Sequence, residues 1–337
     1  MTNGASDRHA LVTGATGFVG GHLVRRLLRD GWTVRLLVRS PSALPEEIYQ
    51  QCEVVHGDLA CMDALVAAVS GVAVIFHCAA NVNTWDRWDA YCEANIAGVR
   101  NLLYAIVQSN PRLFRLVHVS TVDVYGFHES PCNELSDASG GEFGYGRSKL
   151  IGEDLVRQWG KEHSMPFTIV RPCNVIGPGS QFIQRIGQSL QSGVMLKINH
   201  GSANAGLLYV DNLIDYMIWA ASANNALGQC YNVRDLGDTT WAEFLLAFRR
   251  AINGRGVVIN LPFDMAMLVA RCVEWGCRMA RFRGEPFLHP LFVCIFGRTC
   301  GHDASKIRVD SGFSSAVGFD AALRRSAQWF IERPAEE

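Results

Sequence analysis

Tyr145 and Lys149 stand four residues apart in Tyr145-Gly146-Arg147-Ser148-Lys149. On a helix that spacing puts both side chains on one face. A phenol titrates near pH ~10 in isolation. An adjacent ammonium favours phenolate and brings it toward the range useful for proton transfer. Taken alone, the pair also suits a surface helix. A second candidate is Ser120-Thr121, at the end of an apolar run in Val119-Ser120-Thr121-Val122-Asp123-Val124-Tyr125-Gly126. The carboxyl ends of strands in open α/β sheets face the ligand crevice. A hydroxyl there suits a hydrogen bond to an oxygen on which charge develops, and equally suits capping a turn.

Thr13-Gly14-Ala15-Thr16-Gly17-Phe18-Val19-Gly20 lies between an apolar strand and a helix-like stretch. Gly14 allows a tight turn, Gly17 lets backbone approach a pyrophosphate, and Gly20 lets the helix pack close to the sheet. The helix N-terminus then offers unpaired N–H groups to the phosphates. With strand and helix both in place, this is a dinucleotide fingerprint. At the end of the second strand stands Arg39-Ser40 rather than an acid. A guanidinium suits a ribose 2′-phosphate, which favours NADP(H) and leaves NAD(H) open. Asp58-Leu59 suits contact with adenine, or an ordinary turn. Lys149 suits ribose hydroxyls, tying acid, cofactor and substrate together.

Elements that position these groups follow from hydrophobic patterning. Short apolar runs at 9–12, 33–38, 53–56, 73–77, 116–120 and 167–170 predict strands buried on both faces. Helices are predicted over 18–29, 89–108 and 145–162. Strands alternating with helices predict an α/β fold with a Rossmann-type, doubly wound parallel sheet. After Arg171-Pro172 the rhythm breaks, which predicts a smaller, mostly helical C-terminal substrate lobe. The nucleotide domain is assigned 1–178 and 207–235, and the substrate lobe 179–206 and 236–337. The span 81–88 should overhang the nicotinamide, with Asn83 and Trp85 in a substrate pocket. The span 263–282 reads as a helix with Arg271, Glu274, Arg278 and Arg281 at 3- or 4-residue spacing. A lid packed over the core is its first reading; an arginine-edged amphipathic helix also suits a membrane surface.

The chain has 337 residues, is 49% apolar and carries a net charge of −1. That balance gives no reason to expect nucleic acid as a partner. No export signal and no membrane span are read from the sequence. Eleven scattered cysteines suit reduced core thiols in a cytoplasmic enzyme. Cys272 and Cys277 lack the second pair a zinc site needs, so no metal is expected.

Together these motifs resemble the extended short-chain dehydrogenase/reductase family. Further matching stretches are Gly57-Asp58-Leu59, His77-Cys78-Ala79-Ala80, Asn95-Ile96-Ala97-Gly98-Val99, Arg171-Pro172 with Asn174 to Gly177, and Tyr209-Val210-Asp211-Asn212. The resemblance implies Tyr145 as general acid/base, Lys149 as its ribose-binding partner, and Thr121 as the catalytic hydroxyl. It also implies Gly14, Thr16, Gly17, Phe18 and Val19 on the pyrophosphate, and Ala79 and Ala80 beside the cofactor. Pro172 and Val175 would border the nicotinamide, Asn95 would brace the site, and Ser120 would support Thr121. Asp123 and Asn174 are assigned to the substrate pocket, with a structural role the other reading of Asp123, and a homodimer is implied by analogy. Ala205 stands where nucleotide-sugar epimerases carry a diphosphate-binding arginine, and Val122-Asp123 replaces the Asp-Glu of sugar dehydratases. The apolar C-terminal lobe is similar to that of the 3β-hydroxysteroid dehydrogenase-like and dihydroflavonol-reductase-like branches. The expected activity is an NAD(P)-dependent ketone reductase or alcohol dehydrogenase acting on a hydrophobic small molecule. A nucleotide-sugar epimerase is the alternative, and a non-catalytic cofactor sensor a third reading.

Overall fold

The computed structural model describes residues 8–280, 282 and 284–333. Seven parallel strands form the central sheet in the order β10-β6-β5-β4-β1-β2-β3. They are β1 (His9–Thr13), β2 (Thr33–Val38), β3 (Glu53–His56), β4 (Val74–His77), β5 (Arg115–Val119), β6 (Phe167–Pro172) and β10 (Cys230–Val233). All six predicted strands form. The chain builds outward from β1 through β2 and β3, then restarts with β4 on the other side of β1. This reversal opens a crevice beyond the carboxyl ends of β1 and β4, where ligands bind in such sheets. Thr13 and His77 are paired across it.

Helices cover both faces, so β4 is buried at every position. The Phe18–Arg29 helix turns Leu23, Val24 and Leu27 inward. The predicted 89–108 helix is interrupted. It is α-helical over Trp88–Tyr91, π-helical over Cys92–Ala97, and α-helical again over Gly98–Ser109. A π turn widens the helix locally and is frequent at functional sites; here it carries the buried Asn95. The Gly144–His163 helix bears the Tyr-Lys pair.

Beyond β6 the strands are short. β7 (Asn174–Ile176) pairs with β9 (Leu207–Tyr209), and β8 (Val194–Ile198) with β11 (Val257–Leu261). The Trp241–Ala251 helix starts on a reciprocal capping box between Thr240 and Glu243. One hydrophobic cluster runs from Val12 and Phe76 under the sheet to Ile183, Trp241 and Phe330. The late helices are thereby packed onto the first half rather than tethered to it.

The Phe263–Met279 helix walls the pocket with one face, through Phe263, Met267, Arg271 and Arg278, but is not packed over the core as a whole. Only Ala266 and Ala270 on it are fully buried, and its large apolar side chains are mostly exposed. Arg281, read with this helix, lies outside the described residues. No helix among the described residues is long and apolar enough to cross a membrane.

Candidate active site

The turn after β1 is built for close backbone approach. Gly14 has φ +75°, and a Cβ there would lie 2.7 Å from the Ala79 nitrogen. A Cβ on Gly20 would strike the Gly14 carbonyl. Gly17 caps the following helix in extended conformation, with no side-chain cap and no acid in the first turn. Buried Thr13 accepts or donates at 2.8 Å with His77 Nδ1, and its Oγ1 accepts the Ala79 N–H at 3.3 Å. A cradle that one Cβ would fill, beneath an uncapped helix N-terminus, fits the pyrophosphate of a dinucleotide. Thr16 is exposed at its mouth, with Phe18 and Val19 half-buried behind it. Arg39 is exposed at the end of β2. Asp58 Oδ1 accepts the Ala60 and Cys61 N–H groups at 2.9 and 3.1 Å, so it orders its own turn. Leu59 lies against Gly98, and its carbonyl takes the Asn101 amide at 2.8 Å.

Thr121 and Tyr145 meet at the carboxyl end of β5. The Thr121 hydroxyl accepts the Asp123 N–H at 3.2 Å, capping the Val122–Tyr125 turn, and also interacts with the Tyr145 phenol. The Thr121 hydroxyl thus caps the turn while standing beside the phenol. Lys149 is buried and donates to the Val119 carbonyl at 2.7 Å. Burial lowers its ammonium to about 8, opposed by the charge of Glu153. The phenol is not pulled toward phenolate as the sequence suggested. Burial holds Tyr145 above its ordinary range, and the neighbouring Asp123 carboxylate adds to this. Burial pushes Asp123 up to about 6, against the Thr121 hydrogen bond. Beneath them His77 and His118 stack at 5.3 Å; burial and then Lys149 hold His77 down to about 3, so it is neutral.

Several groups fix this centre. Asn95 Oδ1 accepts the Asn81 N–H at 2.8 Å, and its Nδ2 donates to the Asn81 carbonyl (3.0 Å) and Ser148 Oγ (2.9 Å). It thus joins the loop after β4 to the Tyr145 helix. One turn beyond Lys149, fully buried Glu153 receives Arg171 Nε at 2.9 Å and Nη2 at 2.6 Å. Arg171 also donates to Tyr125 OH at 2.7 Å. Glu153 was missed in the sequence, although it continues the four-residue stripe from Tyr145 and Lys149. Glycines flank Tyr145: a Cβ on Gly144 would lie 2.9 Å from the Tyr91 ring, and one on Gly146 2.5 Å from the Asp123 carbonyl oxygen.

Tyr145 opens onto a pocket of 840 Å³, walled by Trp85, Phe127, Phe143, Phe263, Met267 and Leu291 and by the charged Glu142, Asp264, Arg271, Glu274, Arg278 and Arg298. Of the residues expected there, Trp85 lines it; Asn83, Asp123 and Asn174 do not. Asn83 donates to Asp86 at 3.1 Å within its own loop, and Asn174 to the Ala205 carbonyl at 2.7 Å across to the segment before β9. Asp123 sits behind Thr121. Ser120 and Pro172 are buried at the strand ends, and Ala79, Ala80 and Val175 are half-buried. At the pocket rim Glu285 accepts from Thr84, from Arg185, and from His289 Nε2 at 3.1 Å. Burial opposes its charge, but these partners hold its carboxyl below the ordinary range. Arg278 lies over the Trp85 ring at 5.4 Å.

Comparisons with known proteins agree with this geometry. Residues 10–233 match the model of the NAD dependent epimerase/dehydratase family. The 2-alkyl-3-oxoalkanoate reductase of Stenotrophomonas maltophilia is 28% identical, covering 94% of this chain and 97% of its own length. The 3-beta-hydroxysteroid dehydrogenase of Mycolicibacterium neoaurum is 30% identical, covering 96% and 91%. The UDP-glucuronic acid 4-epimerase of Bacillus cereus, solved with UDP-glucuronic acid and NAD, shares the fold. Its TM-score is 0.74, with 20% identity and 96% and 98% coverage. With the phosphate turn, the Tyr-Lys helix and the strand-end hydroxyl in one crevice, this chain belongs to the NAD dependent epimerase/dehydratase family of extended short-chain dehydrogenases/reductases.

Proposed function

We propose that this protein is an NAD(P)-dependent oxidoreductase that interconverts a ketone and an alcohol on a hydrophobic small molecule. The observation that carries the reading is the Tyr145 phenol, beside Thr121, at the wall of a pocket where aromatic and aliphatic side chains (Trp85, Phe127, Phe143, Phe263, Met267, Leu291) stand with charged ones (Glu142, Asp264, Arg271, Glu274, Arg278, Arg298). When bound, the nicotinamide supplies or accepts the hydride. Thr121 orients the substrate oxygen as charge develops on it. Tyr145, kept neutral by burial, donates its proton to that oxygen in the reductive direction. Lys149 holds ribose hydroxyls and keeps a positive charge near the phenol.

Gly14, Thr16, Gly17, Phe18 and Val19 hold the pyrophosphate, and Arg39 favours a 2′-phosphate and hence NADP(H). The relatives named as reductase and hydroxysteroid dehydrogenase support a carbonyl/alcohol substrate. The solved epimerase supports the alternative, a nucleotide-sugar epimerase with retained NAD. Against it, Ala205, at the position where those epimerases carry arginine, is fully buried and offers no guanidinium; the arginines at the pocket, Arg271, Arg278 and Arg298, come from other elements. Titrating NADPH and NADH separately, then screening apolar ketones and UDP-sugars with the preferred one, separates the two. Retained NAD with UDP-sugar binding and no net reduction of any ketone would overturn the reductase reading.

A further inference from the structure

His289 lines the pocket onto which Tyr145 opens, and only 3% of its side chain is exposed. The Trp85 ring stands 5.8 Å from the imidazole and the Phe292 ring 6.4 Å from it, so the ring is packed among apolar groups. A polar group in such surroundings is normally held by hydrogen bonds. Nε2 has one, to the Glu285 carboxylate at 3.1 Å. Nδ1 has none among the described residues. His289 occupies the N-cap position of the Pro290–Gly297 helix, yet its side chain caps no N–H there. Nor is Nδ1 sealed inside the core, so the space it meets is the pocket.

Glu285 decides which nitrogen carries the hydrogen. Burial opposes its charge, but His289, Thr84 and Arg185 hold its carboxyl below the ordinary range, and an ionised carboxylate only accepts. Nε2 is therefore the N–H, and in the neutral ring Nδ1 keeps a lone pair. Thr84 and Arg185 anchor the carboxylate in turn, which fixes the ring in tautomer and orientation. A carboxylate orients a histidine in this way for use at its other nitrogen. Tyr91 relates the dyad to the reaction centre. A Cβ on Gly144, the neighbour of Tyr145, would lie 2.9 Å from the Tyr91 ring. Burial and the Asp86 and Glu285 charges hold the Tyr91 phenol above its ordinary range, and its hydroxyl is already given to the Asn83 carbonyl at 2.6 Å. The dyad and Tyr145 thus share one pocket, both close to Tyr91, and Tyr91 has no hydrogen left for Nδ1.

We propose that His289 determines specificity: its Nδ1 accepts a hydrogen bond from a hydroxyl that the substrate carries apart from the carbonyl reduced at Tyr145. The substrate class is then a hydroxylated ketone, and its product a diol, rather than a plain apolar ketone. The carbonyl end rests on the reductase reading above, while the hydroxyl end is read from the His289–Glu285 dyad alone. An analogue without the hydroxyl leaves a buried acceptor unpaired, which costs more than the bond itself gains. An ether at the same place has no hydrogen to give and is turned away for the same reason.

The test is binding of 4-ethylphenol and of its methyl ether, 4-ethylanisole, to the full-length protein with NADP added, followed by nitrogen NMR of isotope-labelled histidine. The His289 signals are those missing from His289→Phe. At neutral pH Nδ1 should show its unprotonated form, and the phenol should shift that signal while the ether does not. The phenol should bind about tenfold more tightly than the ether. His289→Phe, which keeps a ring beside Trp85 and Phe292, should bind the two equally. His289→Asn, which returns an acceptor near the Nδ1 position, should restore part of the preference, with circular dichroism showing both variants folded. A protonated Nδ1, no binding of the phenol, equal binding of phenol and ether by wild type, or an unchanged preference in folded His289→Phe overturns the proposal. None of these readouts needs hydride transfer. A protein that keeps the preference but reduces no ketone overturns the reductase reading and leaves the hydroxyl contact standing; one that reduces ketones without the preference does the reverse.

Discussion

Arg171 grips Glu153 with two nitrogens, at 2.9 and 2.6 Å, one helical turn beyond Lys149. Both side chains are almost fully buried. The pair clamps the Tyr145 helix to β6 and, through Tyr125, to the loop that carries Thr121. Glu153→Gln leaves Arg171 buried without its counter-charge. We expect a loss of about 3–5 kcal/mol in urea denaturation, the usual cost of breaking a buried pair from one side. Lys149, whose ammonium Glu153 supports, should also titrate lower than about 8.

Tyr145→Phe removes the proton donor and keeps the ring. We expect kcat to fall by about 10²–10⁴-fold, the range for general acid catalysis. Cofactor affinity, measured by fluorescence titration, should remain near wild type because the glycine turn and Lys149 are untouched. A variant with wild-type turnover would remove Tyr145 from the mechanism.

The two directions of the reaction should respond differently to pH. Reduction uses the neutral phenol, so its rate should stay level through neutral pH. Oxidation needs phenolate, so its rate should climb as pH rises toward the raised Tyr145 value. Above about 6 Asp123 is charged and disfavours that phenolate. Asp123→Asn should therefore move the oxidative limb to lower pH, read from pH–rate profiles in both directions.

Stability should respond to the same carboxyl. Its folded value of about 6 exceeds the ordinary carboxyl value, near ~3.9 in the unfolded chain. The folded state thus binds the proton more tightly, and stability from this group is lost as pH rises through that window. In thermal melts at neutral pH, Asp123→Asn should melt above wild type, and the difference should vanish toward pH ~4.

Gly146→Ala would set a methyl 2.5 Å from the Asp123 carbonyl oxygen. Backbone cannot yield as a side-chain tip can, so the helix must shift and Tyr145 must leave Thr121. We expect a stability loss of about 1–3 kcal/mol and a kcat reduced well beyond any change in KM for cofactor. Steady-state kinetics alongside denaturation separates the two effects.

The strands, the phosphate turn and the Tyr-Lys face were legible because each is local. Apolar runs, glycine positions and four-residue spacing carry their own geometry. The Glu153–Arg171 clamp was not, because its members lie on separate elements and only the fold brings them together. The π turn at Cys92–Ala97 was hidden for a similar reason: its widening serves Asn95, whose partners are Asn81 and Ser148. The Phe263–Met279 helix shows a different limit. Its period announced an amphipathic helix, but periodicity does not say whether the apolar side turns inward. Asn83 and Asn174 were assigned to substrate on position, whereas their amides satisfy neighbouring carboxylate and carbonyl groups.

Glu285 gathers Thr84 from the loop after β4, Arg185 from the Gln181–Gln191 helix and His289 from the C-terminal segment onto one carboxylate. These three pieces of chain are far apart in sequence, yet none can swing aside alone without stranding a charge or a donor at the rim. One carboxylate therefore ties three walls of the aperture together, so removing its charge weakens the hold on all three at once.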